Sequence, residues 1–298
     1  MEIQYIFLAI LVFIMYGFTV WYSSIEGFED GKTEELHDAD IYDDTYASIY
    51  DSLWNSNERI KYEEVSMQDI CLAERETNAV RVLDMCCGTA THASFFRDLG
   101  VSYIGVDTSD AMLAKAREKC SSGKFNKGDV TLPQLYSPKS FSHCLLLGFS
   151  IYMFQNPRVL SDNAYQWLQP GGFFVVHLVD PDKFDPLHDL SSPFAAFSLQ
   201  KYNVERQTES IVYFDKFKYS GKLLKKKNED DASYDEVFSY YDPADNKGIK
   251  YRENKLSLNM PSKERMIDII KTSGFQHVES VDLTRCGKEY QYLVYFTK

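Results

Sequence analysis

The chain of 298 residues predicts an α/β fold: a doubly wound, mostly parallel sheet, an antiparallel β lid inserted late, and an N-terminal transmembrane helix. Three observations predict it. Short apolar runs alternate with helical patterns between Val80 and Leu178, as in a parallel sheet covered on both faces. Three strand-like segments then follow between Ser210 and Met260 with no helix separating them, which argues for antiparallel pairing. An unbroken apolar run occupies Ile3–Tyr22.

That first run has Gln4 as its only polar residue apart from hydroxyls. About 20 helical residues, at about 1.5 Å each, cross the hydrocarbon layer. Trp21 and Tyr22 fall where an interfacial aromatic belt lies. A cleaved signal peptide wants a basic start and a shorter core, whereas Glu2 precedes this run and no Lys or Arg does. Residues 1–24 are therefore expected to be a retained single-pass anchor, with the membrane as partner. Lys32, the only basic residue near either end, places the remainder on the cytosolic side.

Residues 25–40 read as an acidic linker. Between Ser23 and Asp44 nine acids stand against Lys32, so this stretch carries −8 of the net −12 and leaves −4 for the rest. A nucleic-acid grip needs clustered cations. The dense run Lys225–Lys226–Lys227 is followed at once by Glu229, Asp230 and Asp231, the composition of a solvated hairpin tip, so nucleic acid is not expected as a partner. Six cysteines, two of them the adjacent Cys86 and Cys87, show neither disulfide-framework nor zinc spacing. Free thiols and no metal are expected.

Within 41–298 the strand-like runs are Val80–Met85, Tyr103–Val106, Phe141–Leu147 and Phe173–Leu178, with a weaker one at Lys124–Asn126. Ala90–Leu99, Asp110–Lys119 and Pro157–Leu168 read as helices, with Asp110 as a cap and Gly100 as a stop. Residues 181–260 are the inserted lid, with strands at Ser210–Lys218, Tyr234–Tyr241 and Ile249–Met260. Ser262 then caps a last helix, and Val278–Leu283 and Gln291–Phe296 are closing strands. Before the sheet, Tyr42, Tyr46 and Tyr50 share one helical face, placed to pack or to cover the cofactor mouth.

The segment Val82–His92 runs from a strand into a helix through Gly88. Free N–H groups at a helix start favour an anionic group, and glycine lets backbone approach a ligand closely. Two further acids give this loop its weight. Asp107 ends the next strand 23 residues after Asp84, and Asp129 follows 22 residues later in Gly128-Asp129-Val130. A carboxylate at the second position can accept from both ribose hydroxyls, and one at the third can receive an adenine amino group.

These residues resemble the class I, Rossmann-like S-adenosylmethionine-dependent methyltransferases. Asp84-x-Cys86-x-Gly88-x-Ala90 resembles the family's first motif, Gly105-Val106-Asp107-x-Ser109-x-x-Met112-Leu113 its second, and Gly128-Asp129-Val130 its third. Leu168-Gln169-Pro170-Gly171-Gly172 resembles the turn into its fifth strand, and the match spans about Tyr42 to Leu178. The resemblance implies a seven-stranded sheet with a reversed last strand and S-adenosylmethionine as cofactor. It places Asp84 and Gly88 around the methionine end, Asp107 at the ribose and Asp129 at the adenine, with Cys86 and Met112 also among the cofactor-binding residues. Cys86 and Ala90 depart from the family pattern by standing where it commonly has Gly.

Methyl transfer from a sulfonium is an in-line displacement that asks the protein for alignment and dryness, and for a base only when the acceptor is protonated. Tyr152, His177 and Asp180 stand near the ends of the fourth and fifth strands as candidate catalytic groups. Tyr152 reads equally as a pocket wall, and His177 as a buried strand histidine. The lid resembles those of small-molecule methyltransferases, and a membrane tether suits a lipid, so a small-molecule or lipid acceptor is expected. Tyr213, Phe214, Phe217, Tyr219, Phe238, Tyr240 and Tyr241 offer a possible aromatic wall. Two other functions stay open. A nicotinamide-dependent oxidoreductase would want G-x-G-x-x-G where Cys87-Gly88-Thr89-Ala90-Thr91-His92 stands. A non-catalytic, membrane-tethered cofactor-binding module would tolerate Cys86 and Ala90.

Overall fold

Each strand that carries a motif residue lies inside a seven-stranded sheet, away from its two edges. The computed structural model describes residues 33–73, 76–191, 207–227, 229–240 and 249–298. The expected anchor Ile3–Tyr22 and lid residue Tyr241 lie outside these. No helix among the described residues is long and apolar enough to cross a membrane. The chain divides into two units, Met1–Glu34 and Glu35–Lys298. Of the first, only Thr33 and Glu34 are described.

Strand β1 (Glu34–His37) and a 3-10 turn (Asp38–Ile41) occupy the end of the expected acidic linker. The linker reading is thereby corrected over its last residues, where Ser257 N–H donates to Asp38 Oδ1 at 2.8 Å. Helix α1 (Asp44–Trp54) starts where the Asp43 carboxylate accepts from Tyr46 N–H, and α2 (Asn57–Met67) where Ser56 accepts from Arg59 N–H, the usual N-cap chemistry. Then come β2 (Arg81–Met85), α3 (Ala93–Asp98), β3 (Ser102–Asp107), α4 (Asp110–Lys119), β4 (Lys124–Lys127), β5 (Phe141–Leu146), α5 (Pro157–Trp167) and β6 (Leu168–Val179). Helix α4 is capped by Ser109 rather than Asp110. Helix α3 begins three residues later than its pattern predicts, because Cys86, Gly88 and Ala90 all adopt positive φ and the chain turns before it coils.

Four strands follow: β7 (Glu209–Tyr213), β8 (Phe217–Lys225), β9 (Asp231–Tyr240) and β10 (Lys250–Asn259). The predicted single strand Ser210–Lys218 is split by a tight turn in which Phe214 N–H donates to Phe217 O at 2.9 Å. The basic run lies at the β8–β9 turn, as its composition predicts, although Lys225 itself folds back onto Asp182 at 2.9 Å. Helix α6 (Lys263–Thr272), capped by Ser262, and strands β11 (Gln276–Asp282) and β12 (Gln291–Thr297) close the chain.

The main sheet runs β11-β12-β6-β5-β2-β3-β4, and the lid sheet β1-β10-β9-β8-β7. Pairs β2–β3, β2–β5, β3–β4 and β5–β6 are parallel, whereas β12 is antiparallel to both β6 and β11. This is the expected reversed last strand. Strand β5 is buried along its whole length, the mark of a sheet covered on both faces. Carboxyl ends of β2, β3 and β4 therefore open on one edge, where such folds bind ligands.

Candidate cofactor and acceptor site

The loop after β2 is shaped by strain and by one carboxylate. Cys87 N–H extends the β2–β3 pairing to Val106 O at 3.0 Å. Gly105 on β3 leaves room for this, since a Cβ there would stand 2.8 Å from Cys87 Sγ. Cys86 at φ +55 and Ala90 at φ +53 occupy the left-handed region that glycine favours, at about 1–2 kcal/mol each. Asp107 holds the loop in place. Its Oδ2 accepts from Gly88 N–H and its Oδ1 from Ser109 N–H, both at 2.9 Å. Burial pushes the Asp107 carboxyl up, against the pull of these backbone donors.

Asp129 stands beside Asp107, because Gly128 N–H donates to Asp107 O at 3.0 Å. Its Oδ1 is used by Thr131 N–H and Oγ1, which leaves Oδ2 for a ligand. Met112 lies elsewhere than expected: it is 1% exposed and packs with Ile41, Tyr46 and Leu53. It supports α1 under the loop.

Asp84 and Cys86 line a cavity beneath the loop together with Arg59, Glu63 and His92. Tyr103 donates to Asp84 Oδ2 at 2.6 Å, yet burial still pushes the Asp84 carboxyl up to about 6. Burial pushes the thiols of Cys86 and Cys87 well up as well, so neither is a thiolate at neutral pH. His92 meets Glu63 Oε2 at 3.1 Å and Glu64 Oε1 at 3.4 Å through its two ring nitrogens. A ring with a carboxylate at each nitrogen holds both protons. Burial lowers its pKa, but the two carboxylates outweigh burial and lift it to about 9. Burial likewise raises Glu63, and Arg59 with His92 overturns this to about 2. The cavity thus presents charges of both signs, the donor and acceptor set that an amino-acid zwitterion requires. With Asp107 and Asp129 beside the loop, these residues fit S-adenosylmethionine.

A second cavity lies between the sheet edge and the lid. It is bounded by Tyr42, Tyr46 and Tyr50 from α1, by Tyr152 and Phe184, and by Leu223, Tyr234, Glu236, Leu256 and Leu258 from the lid. Tyr50, Trp54, Arg59, Gly148 and Phe149 line both cavities, so the two meet there. The tyrosine face of α1 lies on this cavity rather than over the cofactor mouth, where Tyr50 alone of the three reaches. The expected aromatic wall does not form as read. Tyr219 and Phe238 are buried against Tyr46, and Tyr213 is largely exposed. The lid residues that reach the cavity come from the alternate positions of β8, β9 and β10.

None of the three expected catalytic groups is free to act on an acceptor. Tyr152 accepts from Val179 N–H at 2.9 Å and donates to Val179 O at 3.5 Å, so it is a cavity wall fixed to β6. His177 is fully buried and stacks on Phe149 at 4.5 Å. Burial pushes it down to about 4 despite the attraction of Glu63. Phe149 stands between it and the cavities. Asp180 pairs with Lys183 at 2.9 Å and accepts from Asp182 N–H, which shapes the turn after β6.

Glu236, His188 and Arg252 escaped the sequence reading. Glu236 Oε1 accepts from Tyr46 and Tyr219 hydroxyls, each at 2.6 Å, and Oε2 from Asn254 Nδ2 at 2.8 Å. His188 Nδ1 donates to Leu53 O at 2.8 Å, while Tyr234 OH meets Nε2 at 2.8 Å. Only the polar alternation Tyr234-x-Glu236 and Arg252-x-Asn254 on lid strands signalled a buried network.

Residues 82–172 match the family model of the methyltransferase domain. The chain is 29% identical over 147 residues to a dTDP-4-amino-2,3,4,6-tetradeoxy-D-glucose N,N-dimethyltransferase of Saccharopolyspora spinosa, covering 48% of this chain and 59% of that protein. It is 27% identical over 122 residues to a trans-aconitate 2-methyltransferase of Variovorax paradoxus, covering 40% and 45%. The matches therefore span about half the length of these curated relatives. Among solved structures, the CcbJ methyltransferase of Streptomyces caelestis superposes with a TM-score of 0.61 at 18% identity, over 86% of this chain and 97% of that one. An amino pentose methyltransferase of Micromonospora echinaspora, solved with S-adenosylmethionine bound, gives 0.58 at 17% identity over 85% and 96%. These likenesses establish the α/β methyltransferase fold.

Proposed function

We propose that the chain is an S-adenosylmethionine-dependent methyltransferase acting on a small-molecule acceptor. The observation that carries this reading is the junction of the two cavities at Tyr50, Trp54, Arg59, Gly148 and Phe149. One cavity offers the charges of an amino-acid end beside the Asp107 loop, and the other is mostly apolar and roofed by the lid. S-adenosylmethionine supplies a methyl group already activated on a sulfonium. Asp107 and Asp129 orient the nucleoside end, and Asp84, Glu63, His92 and Arg59 orient the amino-acid end. Tyr50, Trp54 and Phe149 keep water from the junction and offer aromatic faces to positive charge.

An amine is the favoured acceptor class. The Saccharopolyspora relative and the amino pentose methyltransferase are named for amino-sugar acceptors, and a buried carboxylate faces this cavity. Calorimetry with S-adenosylmethionine and with nicotinamide dinucleotides tests the cofactor. Radiolabelled transfer then tests a panel: dTDP-4-amino-2,3,4,6-tetradeoxy-D-glucose, its 4-hydroxy counterpart, and vesicles containing phosphatidylethanolamine. Nicotinamide binding without S-adenosylmethionine binding refutes the reading.

The sequence of Ile3–Tyr22 supports a single-pass anchor that holds the catalytic unit at a cytosolic membrane face. Full-length chain should resist alkaline extraction from membranes, and residues 25–298 should be released. Release of both sinks the anchor.

A further inference from the structure

Glu236 is 2% exposed and borders the acceptor cavity. Arg252, a neighbouring cation on β10, commits its guanidinium elsewhere: to Asn254 Oδ1 at 2.8 Å, Asp43 Oδ2 at 2.7 Å and Ile41 O at 2.8 Å. Among the described residues no Lys, Arg or His nitrogen lies within ion-pair distance of Glu236, whose partners are the hydroxyls of Tyr46 and Tyr219 and the Asn254 amide. A buried carboxylate without a cation is costly, and this one borders the acceptor cavity. Tyr46 links the two. It lines the cavity, donates to Glu236, and accepts from Trp54 Nε1 at 3.1 Å. A phenol hydroxyl both donates and accepts, so Tyr46 can pass its proton to Glu236 as it takes one from a donor in the cavity.

We propose that Glu236, acting through the hydroxyl of Tyr46, receives the proton that an amine acceptor sheds on becoming the nucleophile; this assignment rests on the methyl-transfer reading above. The protons balance. An ammonium N–H bond breaks as its proton reaches Tyr46 oxygen, and the Tyr46 O–H proton passes to Glu236 Oε1. Ammonium and carboxylate become amine and carboxylic acid, both neutral, and the nitrogen keeps its electron pair for the methyl group. Burial favours this direction by raising the proton affinity of Glu236, opposed by the hydroxyls of Tyr219 and Tyr46, by Asn254 and by the Arg252 charge.

The full chain with S-adenosylhomocysteine is titrated near pH 7 with dTDP-4-amino-2,3,4,6-tetradeoxy-D-glucose, in two buffers of different ionisation enthalpy. Wild type should bind the ammonium with no net proton release. Glu236→Gln and Tyr46→Phe should bind it at least about tenfold more weakly, releasing about one proton per amine because only the neutral form fits. In turnover, kcat/KM of both variants should climb about tenfold per pH unit up to the amine's own pKa, where wild type stays flat. A loss equal at every pH, an unchanged proton count with unchanged affinity, or a wild type that binds no amine of the panel overturns the assignment. Wild type that binds the amine with a Glu236-dependent proton count yet transfers no methyl refutes the methyl-transfer reading and leaves Glu236 in place.

Discussion

Replacing His92 with Gln removes an imidazolium wedged between Glu63 at 3.1 Å and Glu64 at 3.4 Å. The ring is raised from 6.5 to about 9 in the folded chain. At about 1.4 kcal/mol per pKa step, that gap contributes about 3 kcal/mol of stability. Its sign follows from linkage: a raised histidine stabilises fully below its unfolded pKa of 6.5 and loses that contribution as pH climbs through about 9. At pH 7 about 2.5 kcal/mol remains and at pH 9 about 0.4, so roughly 2 kcal/mol disappears across that interval. Glu63, held at about 2, stays ionised throughout and adds no slope of its own there. For a unit of this size 1 kcal/mol moves Tm by about 2 °C. Ligand-free wild type should therefore melt about 4 °C lower at pH 9 than at pH 7, relative to His92→Gln, whose own difference lacks this component. Differential scanning fluorimetry over that range, repeated as guanidinium titrations, measures it. Equal slopes in the two proteins would falsify the buried-imidazolium argument.

Other perturbations test single contacts. Asp107→Asn keeps the shape but turns an amide N–H₂ toward one of two backbone donors, so calorimetry should show S-adenosylmethionine binding weakened at least about tenfold. Gly105→Ala places a Cβ 2.8 Å from Cys87 Sγ and 2.9 Å from Phe125 Cδ1, and should cost about 1–3 kcal/mol in denaturant titration. An unchanged midpoint would mean that the loop relaxes freely. Tyr152→Phe strands the buried Val179 N–H and should cost about 1–3 kcal/mol of stability while leaving kcat within severalfold. A collapse of kcat in a well-folded variant would restore Tyr152 as a catalytic group.

What the sequence made legible was whatever depends on neighbours along the chain. The Val82–His92 turn, the acids at the ends of β2 and β3, the Ser262 cap and the β8–β9 tip all follow from local pattern. So does the tyrosine face of α1. Residues whose roles depend on distant partners were misjudged or missed. Tyr152 and His177 sit at the right strand ends, but the Val179 backbone and the Phe149 ring, positioned by tertiary packing, take them out of play. Glu236 gives no local sign of its place, because its partners Tyr46 and Asn254 lie 190 residues before it and 18 after it. Ser109 took the cap from Asp110 because its hydroxyl also reaches Tyr42 O at 2.5 Å, a bond to an element that sequence pattern cannot see. The departures at Cys86 and Ala90 were legible, and the structure gives them a consequence: both are held at positive φ.

The reach of those pairings bears on how the chain is made. Tyr46 waits for Glu236 across 190 residues, Asp43 for Arg252 across 209 and Ser66 for Tyr295 across 229. At about 5–20 residues per second of synthesis, α1 leaves the ribosome roughly 10–40 s before its lid partners exist. Through that interval its tyrosines and Trp54 have no cavity to line and are free to meet other chains. Contacts this non-local also fold slowly once synthesis is complete. Yield in cells should accordingly respond to slower translation or added chaperone more than to changes in the sheet, whose parallel pairs all close by Val179.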